Sequence, residues 1–250
     1  MRRYPGYIFD LDGTLYRGAD PIEHAVEVVS QLVAEGAKVR FLTNNSGYTA
    51  EKISEKLTAM GFPAPVESIY SSGLGAANYL RTQGAKSVFV VGQPGLHEIL
   101  TSYGLNIVET APADFVLVGI CRSFTYDLLD RALQCLLGGA KLIATNKDTT
   151  FPLENGRISP GAGSIVAAVE AASGMKATVI GKPEPTLVQH LLAQMNLRPE
   201  DVLVVGDRID TDIESARRAN CPSHLVLTGV TPEPVLGLSY SDDLQKLLQS

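Results

Sequence analysis

The chain is poor in three things, and each shortage narrows what it can be. Cysteine occurs three times in 250 residues, at Cys121, Cys135 and Cys221. The count is odd, the three lie far apart and no Cys-x-x-Cys occurs. Free or buried thiols in a reducing compartment, the cytoplasm, are therefore expected rather than a disulfide framework. A basic run is also missing. The net charge is −6, so a nucleic-acid polymer is not expected as the main partner. An acidic total still permits an anionic substrate, because a metal or a helix N-terminus reverses the field locally. Finally, no segment approaches about 18 uninterrupted apolar residues, which argues against a helical membrane span. The segment 1–7 is too short and too polar to act as a signal peptide ahead of the first strand.

What is present is a 45% hydrophobic chain, enough for one large α/β domain or two smaller ones. Apolar runs alternate with helical patterns. Residues 7–11 read as a buried strand. Ile22, Ala25, Val26, Val29, Leu32 and Val33 then recur at helical spacing until Gly36 supplies a stop. Residues 38–42 read as a second strand and 49–60 as a second helix. This βαβα start predicts a parallel sheet with right-handed crossovers. The same rhythm closes the chain, with strands at 177–180, 202–205 and 224–227 and helices over 187–195, 209–219 and 242–249. Between the two ends, strands at 87–91, 115–118 and 141–144 and helices at 125–137 and 161–172 form a self-contained middle. Matching ends around such a middle predict a discontinuous core, 1–82 and 180–250, with an α/β insert over 83–179.

The polar residues that follow the strands carry the chemistry. Asp10 and Asp12 sit two residues apart at the end of the first apolar run, with Gly13 and Thr14 directly after. Residues i and i+2 of a strand face the same way. Two acids in one small space repel unless a cation or a shared proton intervenes. A divalent metal site, a nucleophile with its acid/base partner, or a plain strand followed by an Asp-Gly turn all fit the pair alone. Three further clusters also follow strands: Thr43-Asn44-Asn45-Ser46, Gly181-Lys182-Pro183 and Gly206-Asp207-Arg208. Ligands of open α/β sheets bind beyond the carboxyl ends of the strands, so all four clusters are expected to share one crevice. Asp10, Asp12 and Asp207 supply hard oxygen ligands suited to Mg²⁺. Thr43, Asn44 and Asn45 offer a hydroxyl and two amides for a phosphoryl group, or a cap for the next helix. Lys182 can neutralise phosphate or nearby carboxylates, or stand in a surface turn. Asp207 can cap the helix that follows it. Asp210 is expected to face solvent, and Asp212 to stand behind the site as a partner to its ligands.

Taken in order, Asp-Leu-Asp-Gly-Thr, Thr-Asn-Asn-Ser, Gly-Lys-Pro-Glu-Pro and Gly-Asp-Arg-Ile-Asp-Thr-Asp resemble the four motifs of haloacid dehalogenase (HAD) superfamily phosphatases. The details are similar to the NagD-like, type IIA branch, which includes p-nitrophenylphosphatases, pyridoxal phosphatase and phosphoglycolate phosphatase. Residues 144–148 and 160–164 resemble that branch's α/β cap of the C2 type. The resemblance implies a Rossmann-like α/β core with a parallel sheet and an inserted cap. It implies an Mg²⁺-dependent phosphomonoesterase that hydrolyses small phosphorylated metabolites. Asp10 would be the nucleophile that forms an aspartyl-phosphate, and Asp12 the acid and then the base. Mg²⁺ would be held by the Asp10 carboxylate, the Asp12 backbone carbonyl and Asp207. Thr43 and Lys182 would hold the phosphoryl oxygens with help from Asn44 and Asn45, and Gly13 would let the backbone approach them. A homodimer formed through the cap is implied by the resemblance alone.

Some features depart from the branch's pattern. Cys121-Arg122 stands where an acidic or other polar residue often precedes an Arg-x-Phe region, Gly47 extends the Asn-Asn-Ser turn, and the stretch after residues 229–231 is short. These leave the four motifs intact but weaken any transfer of substrate identity. Cys121 is expected to pack in a core, and Asn146 and Asp148 to hold the cap turn. His24, His97 and His190 are expected on surfaces or in cores rather than as ligands. Two other functions fit the residues less well. One is phosphoryl transfer to an acceptor other than water, with halide displacement a weaker version that does not need the acid Asp12. The other is non-catalytic phosphometabolite binding, which needs neither a nucleophile nor a separate acid.

Overall fold

A computed structural model describes residues 2–152 and 157–249. Met1, which the N-terminal reading included, lies outside them. In chain order the first elements are β1 (Gly6–Phe9), β2 (Tyr16–Arg17), β3 (Asp20–Pro21), α1 (Ala25–Ala34), β4 (Lys38–Thr43), α2 (Ala50–Ala59) and β5 (Ile69–Ser71). The middle adds α3 (Ser72–Thr82), β6 (Val88–Val91), α4 (Pro94–Ser102), β7 (Ile107–Val108), β8 (Phe115–Val118), α5 (Tyr126–Leu137) and β9 (Lys141–Ala144). It continues with β10 (Thr150–Pro152), β11 (Ile158–Pro160), α6 (Ala162–Ser173) and β12 (Thr178–Val179). The last part holds α7 (Thr186–Met195), β13 (Val202–Gly206), α8 (Glu214–Arg218), β14 (Ser223–Val226) and β15 (Tyr240–Ser241). Two compact units result: Met1–Thr43, Ala50–Tyr70 and Lys182–Ser250 form one, Asn44–Thr49 and Ser71–Gly181 the other.

The first unit is built on a six-stranded sheet in the order β15-β14-β13-β1-β4-β5. Its central strand β1 is buried at all four positions, and it pairs in parallel with β13 on one side and β4 on the other. Strands covered on both faces read as continuous apolar runs, which is why these segments were legible. Each fully buried Ile, Leu or Phe among them contributes about 1.5–3 kcal/mol relative to exposure. Phe9 lies level with Val205 and with Phe41. Asp10 and Asp207, just past β1 and β13, and Thr43, the last residue of β4, therefore lie at one edge of the sheet together. Because β1 is flanked by the next strand on one side and a late strand on the other, this edge is a topological switch point.

Local sequence explains where the helices begin and end. Helix α1 buries Ala25, Val28, Val29 and Leu32. It starts later than the spacing of Ile22 predicts, because His24 takes a left-handed conformation (φ 64) ahead of it. Gly36 (φ +87) ends it: the Gly36 N–H donates to Val33 and the Ala37 N–H to Leu32. The helix expected over 209–219 is not a single α-helix. Residues Ile209–Ile213 form a π-helical turn, and α8 follows it. The N–H groups of Asp212 and Ile213 both donate to the Arg208 carbonyl, which widens the turn where the Asp212 side chain points inward. The terminal helix is a 3₁₀ segment, Leu244–Leu248, opened by the Asp243 carboxylate accepting from the Gln245 N–H.

The second unit has its own five-stranded sheet, β12-β9-β8-β6-β7. Its core joins Phe89, Val91, Val116, Val118 and Leu142 to α5 and α6, and Cys121 and Cys135 pack within it. Cys121 thus has the packing role expected of it. All three cysteines are free and buried. Thr125 caps α5 by accepting from the Leu128 N–H, and Ser71 caps α3 by accepting from Leu74. Helix α3 belongs to this unit, whereas the sequence reading put its residues with the first. Its Gly- and Ala-rich sequence hid it from a reading based on large apolar residues. No helix among the described residues is long and apolar enough to cross a membrane.

Candidate active site

The switch-point edge of the first unit gathers one lysine and three carboxylates. The Lys182 ammonium lies 2.5 Å from Asp10 Oδ1 and 2.6 Å from Asp212 Oδ1. Lys182 is 3% exposed and Asp207 and Asp212 are 1% exposed. Asp10, Asp207 and Asp212 can each offer an oxygen within 4.8 Å of the others. Burial alone would lower the Lys182 pKa, but Asp10 and Asp212 outweigh it and hold the ammonium above the ordinary lysine range. Burial pushes the Asp10 carboxyl well up; Lys182 opposes this, while Asp212 and Asp207 add to it. Burial and then Asp212 push Asp207 up to about 6, against the Val230 N–H and Lys182.

Close packing places these acids. The Gly13 backbone is left-handed (φ +85), and a Cβ there would meet Asp207 Oδ2 at 2.5 Å. Gly13 was expected to admit a phosphate; the room it leaves is also needed by Asp207. A Cβ on Gly229 would strike the same carboxylate, and one on Gly206 would strike Asp212. Asp207 Oδ2 accepts from the Val230 N–H at 2.6 Å, and Thr228 Oγ1 donates to the Gly13 carbonyl at 2.7 Å. Both oxygens of Asp212 are engaged: Oδ1 by Lys182, Oδ2 by the Arg208 N–H at 3.1 Å. Asp212 is thus held by Lys182 and the Arg208 backbone, and the exposed Asp210 pairs with Arg208. Sequence reasoning missed Thr228, Gly229 and Val230 as shapers of the site. The Gly229-Val230 dipeptide after a buried strand was the available signal.

Asp12 stands on the solvent side of this cluster. Its Oδ2 accepts from the Tyr16 hydroxyl at 3.2 Å, and the Lys56 ammonium lies 3.7 Å from the Tyr16 ring centroid. Reduced hydration raises the Asp12 carboxyl, while Lys56 and the Tyr16 hydroxyl pull it down. Thr43 ends β4 and is buried.

Asn44 and Asn45 belong to the second unit, and hydrogen bonds there engage their amides. Asn44 Nδ2 donates to Asp148 Oδ2 at 3.0 Å, and Asn45 Oδ1 accepts from the Gly47 N–H at 2.9 Å. Asn146 donates to the Asn44 carbonyl at 2.7 Å and accepts from the Asp148 N–H at 3.1 Å. Asn146 and Asp148 thus hold their turn. His190 stacks on Tyr70 at 4.4 Å, a packing role.

The donor set fits a divalent cation. With Asp10, Asp207 and Asp212 ionised, Lys182 cancels only part of their charge. Burial first, and then the neighbouring carboxylates, raise Asp10 and Asp207. Asp10 Oδ2 receives no hydrogen bond among the described residues. Three hard oxygens with one lysine suit Mg²⁺ better than a softer metal.

Comparison with known proteins agrees. The haloacid dehalogenase-like hydrolase family matches residues 7–106, and a further HAD-hydrolase-like family matches residues 179–245. The chain is 34% identical over 247 residues to the 5'-nucleotidase YutF of Bacillus subtilis, covering 98% of this chain and 94% of that protein. The p-nitrophenyl phosphatase from Archaeoglobus fulgidus superposes with a TM-score of 0.92 at 32% identity, with 99% of each chain covered. Glycerol phosphate phosphatase Rv1692 from Mycobacterium tuberculosis, solved with magnesium, superposes with a TM-score of 0.89 at 36% identity. That match covers 98% of this chain and 77% of Rv1692. A likeness that runs almost end to end makes this chain a member of the haloacid dehalogenase-like hydrolases, in their NagD-like, type IIA branch.

Proposed function

We propose that the protein is an Mg²⁺-dependent phosphomonoesterase that hydrolyses small phosphorylated metabolites through a phosphorylated Asp10. The observation that carries this reading is the buried Lys182 set between Asp10 and Asp212, with Asp207 beside them, at the switch point of the sheet. Binding alone does not need so costly a cluster. Mg²⁺ would be held by the Asp10 carboxylate, the Asp12 backbone carbonyl and Asp207, and would offset repulsion between the phosphate dianion and the acids.

The protein's own groups account for the steps. An Asp10 carboxylate oxygen attacks phosphorus, and the bond from phosphorus to the leaving oxygen breaks. That oxygen keeps the electron pair and takes a proton from Asp12, so the alcohol departs and an aspartyl-phosphate remains. Water then attacks phosphorus and gives its proton to the Asp12 carboxylate. The acyl-phosphate bond breaks and Asp10 is restored. Lys182 and Thr43 hold the phosphoryl oxygens, and Lys182 keeps Asp10 ionised and aimed. Asn44 and Asn45 act by shaping the turn that follows Thr43.

We assign the first unit as the catalytic core and the second as the cap that selects the substrate. Nucleotides, aryl phosphates and glycerol phosphate are the substrate classes that the names of its relatives offer. Cytoplasmic residence accords with the three free, buried thiols. A cap-mediated homodimer is the family-level expectation, tested by size-exclusion chromatography with light scattering. The reading itself is tested with p-nitrophenyl phosphate and a phosphometabolite panel, each with Mg²⁺ and with chelator. Release of inorganic phosphate that stops on chelation is expected, even with excess alcohol present. Absence of hydrolysis, or transfer to the alcohol as the main product, would refute it.

A further inference from the structure

Asp12 differs from the other acids of the site in having solvent access, and a carboxylate at a rim has no intrinsic orientation. Its terminal torsion is broad, so something must aim it. Two residues without a part in the steps above converge on it. Tyr16 begins β2, four residues further along the same loop. The residue is 5% exposed, and its hydroxyl donates to Asp12 Oδ2 at 3.2 Å. The loop between them closes on itself: the Gly13 N–H donates to the Tyr16 carbonyl at 2.9 Å, and the Leu15 N–H to the Leu11 carbonyl at 2.8 Å. Over the ring stands the Lys56 ammonium from α2, 3.7 Å from the centroid, where a cation is attracted to the negative face of the ring.

We propose that Tyr16 and Lys56 are a positioning pair that aims the Asp12 carboxyl group at the leaving oxygen and so extends hydrolysis to monoesters of poorly departing alcohols. The inference rests on the phosphomonoesterase reading. With Oδ2 accepting the phenol's hydrogen, the transferable proton sits on Oδ1, and the carboxyl group turns as one rigid plane. Lys56 fixes the ring that fixes the carboxyl. An alkoxide leaving group needs that proton as its bond to phosphorus breaks. A p-nitrophenolate leaving group needs it far less. The pair therefore sets the range of leaving groups more than the overall rate.

The test compares kcat/KM, which reports the step that expels the leaving group, for p-nitrophenyl phosphate and for the best alkyl monoester of the panel. Tyr16→Phe removes one hydroxyl and keeps the ring. It should cost about tenfold or more on the alkyl ester and about two- to threefold on the aryl ester. Lys56→Met should shift the ratio the same way by a smaller factor. A merely structural role for Tyr16 would lower both esters equally. Equal losses, a larger loss on the aryl ester, or a wild type that hydrolyses aryl but no alkyl esters overturns the pairing and leaves the phosphatase reading standing. A wild type that hydrolyses neither ester overturns both. Circular dichroism and melting of each variant separate a folding defect from a change in the ratio, and the ratio decides.

Discussion

Each unit contains an ionic triad, and the two are mirror images in stoichiometry. In the first, one lysine lies between two carboxylates: Lys182 with Asp10 and Asp212. In the second, one carboxylate lies between two lysines: Glu170 of α6 with Lys147 at 2.7 Å and Lys176 at 3.4 Å. Burial dominates the first, so Asp10 and Asp207 are pushed up, against the pull of Lys182 on both and of the Val230 N–H on Asp207. Hydrogen bonds dominate the second: the Lys147 ammonium and the Ala177 N–H hold Glu170 down at about 2. Lys176 is 86% exposed and adds little. The second triad closes its own account of charge and ties α6 to the segment after it. The first does not close: its carboxylates outnumber its lysine, and the missing positive charge is what a divalent cation would supply.

Removing the central lysine should break that contrast most sharply. Lys182→Met leaves buried carboxylates without their cation, and in chelator at neutral pH it should cost about 3–5 kcal/mol in urea unfolding. Turnover should fall below detection, while Mg²⁺ should recover part of the stability. Lys176→Met, in the same measurement, should leave stability unchanged. An equal response from the two lysines would mean that the triads do not differ in kind.

A smaller but more specific effect separates Asp12 from Asp207. Asp12→Asn should lower kcat by about 10²–10⁴ through loss of the acid, yet keep Mg²⁺ binding by calorimetry close to wild type. Asp207→Asn should weaken Mg²⁺ binding by about tenfold or more, because it removes a side-chain ligand. Were both to lose the cation alike, Asp12 would be a side-chain ligand and not the acid.

The smallest effect lies in the second triad. The Glu170 pKa is lowered from an ordinary 4.5 to about 2, so the folded state binds fewer protons than the unfolded state in that interval. Its stabilisation is present above about 4.5 and is lost as pH falls towards about 2. The stability gap between wild type and Glu170→Gln should therefore narrow as pH is lowered from 6 to 3. A constant gap would show that the triad is no more than a neutral hydrogen-bonded tie.

Much of this was legible because the informative residues announce themselves. Strands β1, β13 and β8 are buried throughout, so they stand out as unbroken apolar runs, and β9 is buried after its exposed Lys141. The acids and the lysine come directly after such runs. Short or small-residue elements were not legible: the two-residue strands β2 and β3, the Gly- and Ala-rich α3, and α4 with its Pro94 start. The π-helical turn at Ile209–Ile213 escaped because an α-helical pattern of apolar residues cannot reveal that Asp212 must turn inward. Gly13 marked a turn, but neither its left-handed backbone nor the Asp207 carboxylate that fills the space beside it, nearly two hundred residues later, could be read from the sequence. Asn44 and Asn45 carry polar groups for which spacing alone leaves a ligand and a turn role open; the hydrogen bonds to Asp148 and from the Gly47 N–H show that they also hold their turn.

The central claim is that Asp10 is the group that accepts the phosphoryl moiety, not merely one acid among several. Asp10→Asn keeps the size and the backbone, and its Mg²⁺ binding and melting can be followed beside its rate. With Mg²⁺ and saturating p-nitrophenyl phosphate, the account predicts that wild type turns over and that Asp10→Asn loses about 10³-fold or more while remaining folded. Turnover by Asp10→Asn at the wild-type rate would contradict it.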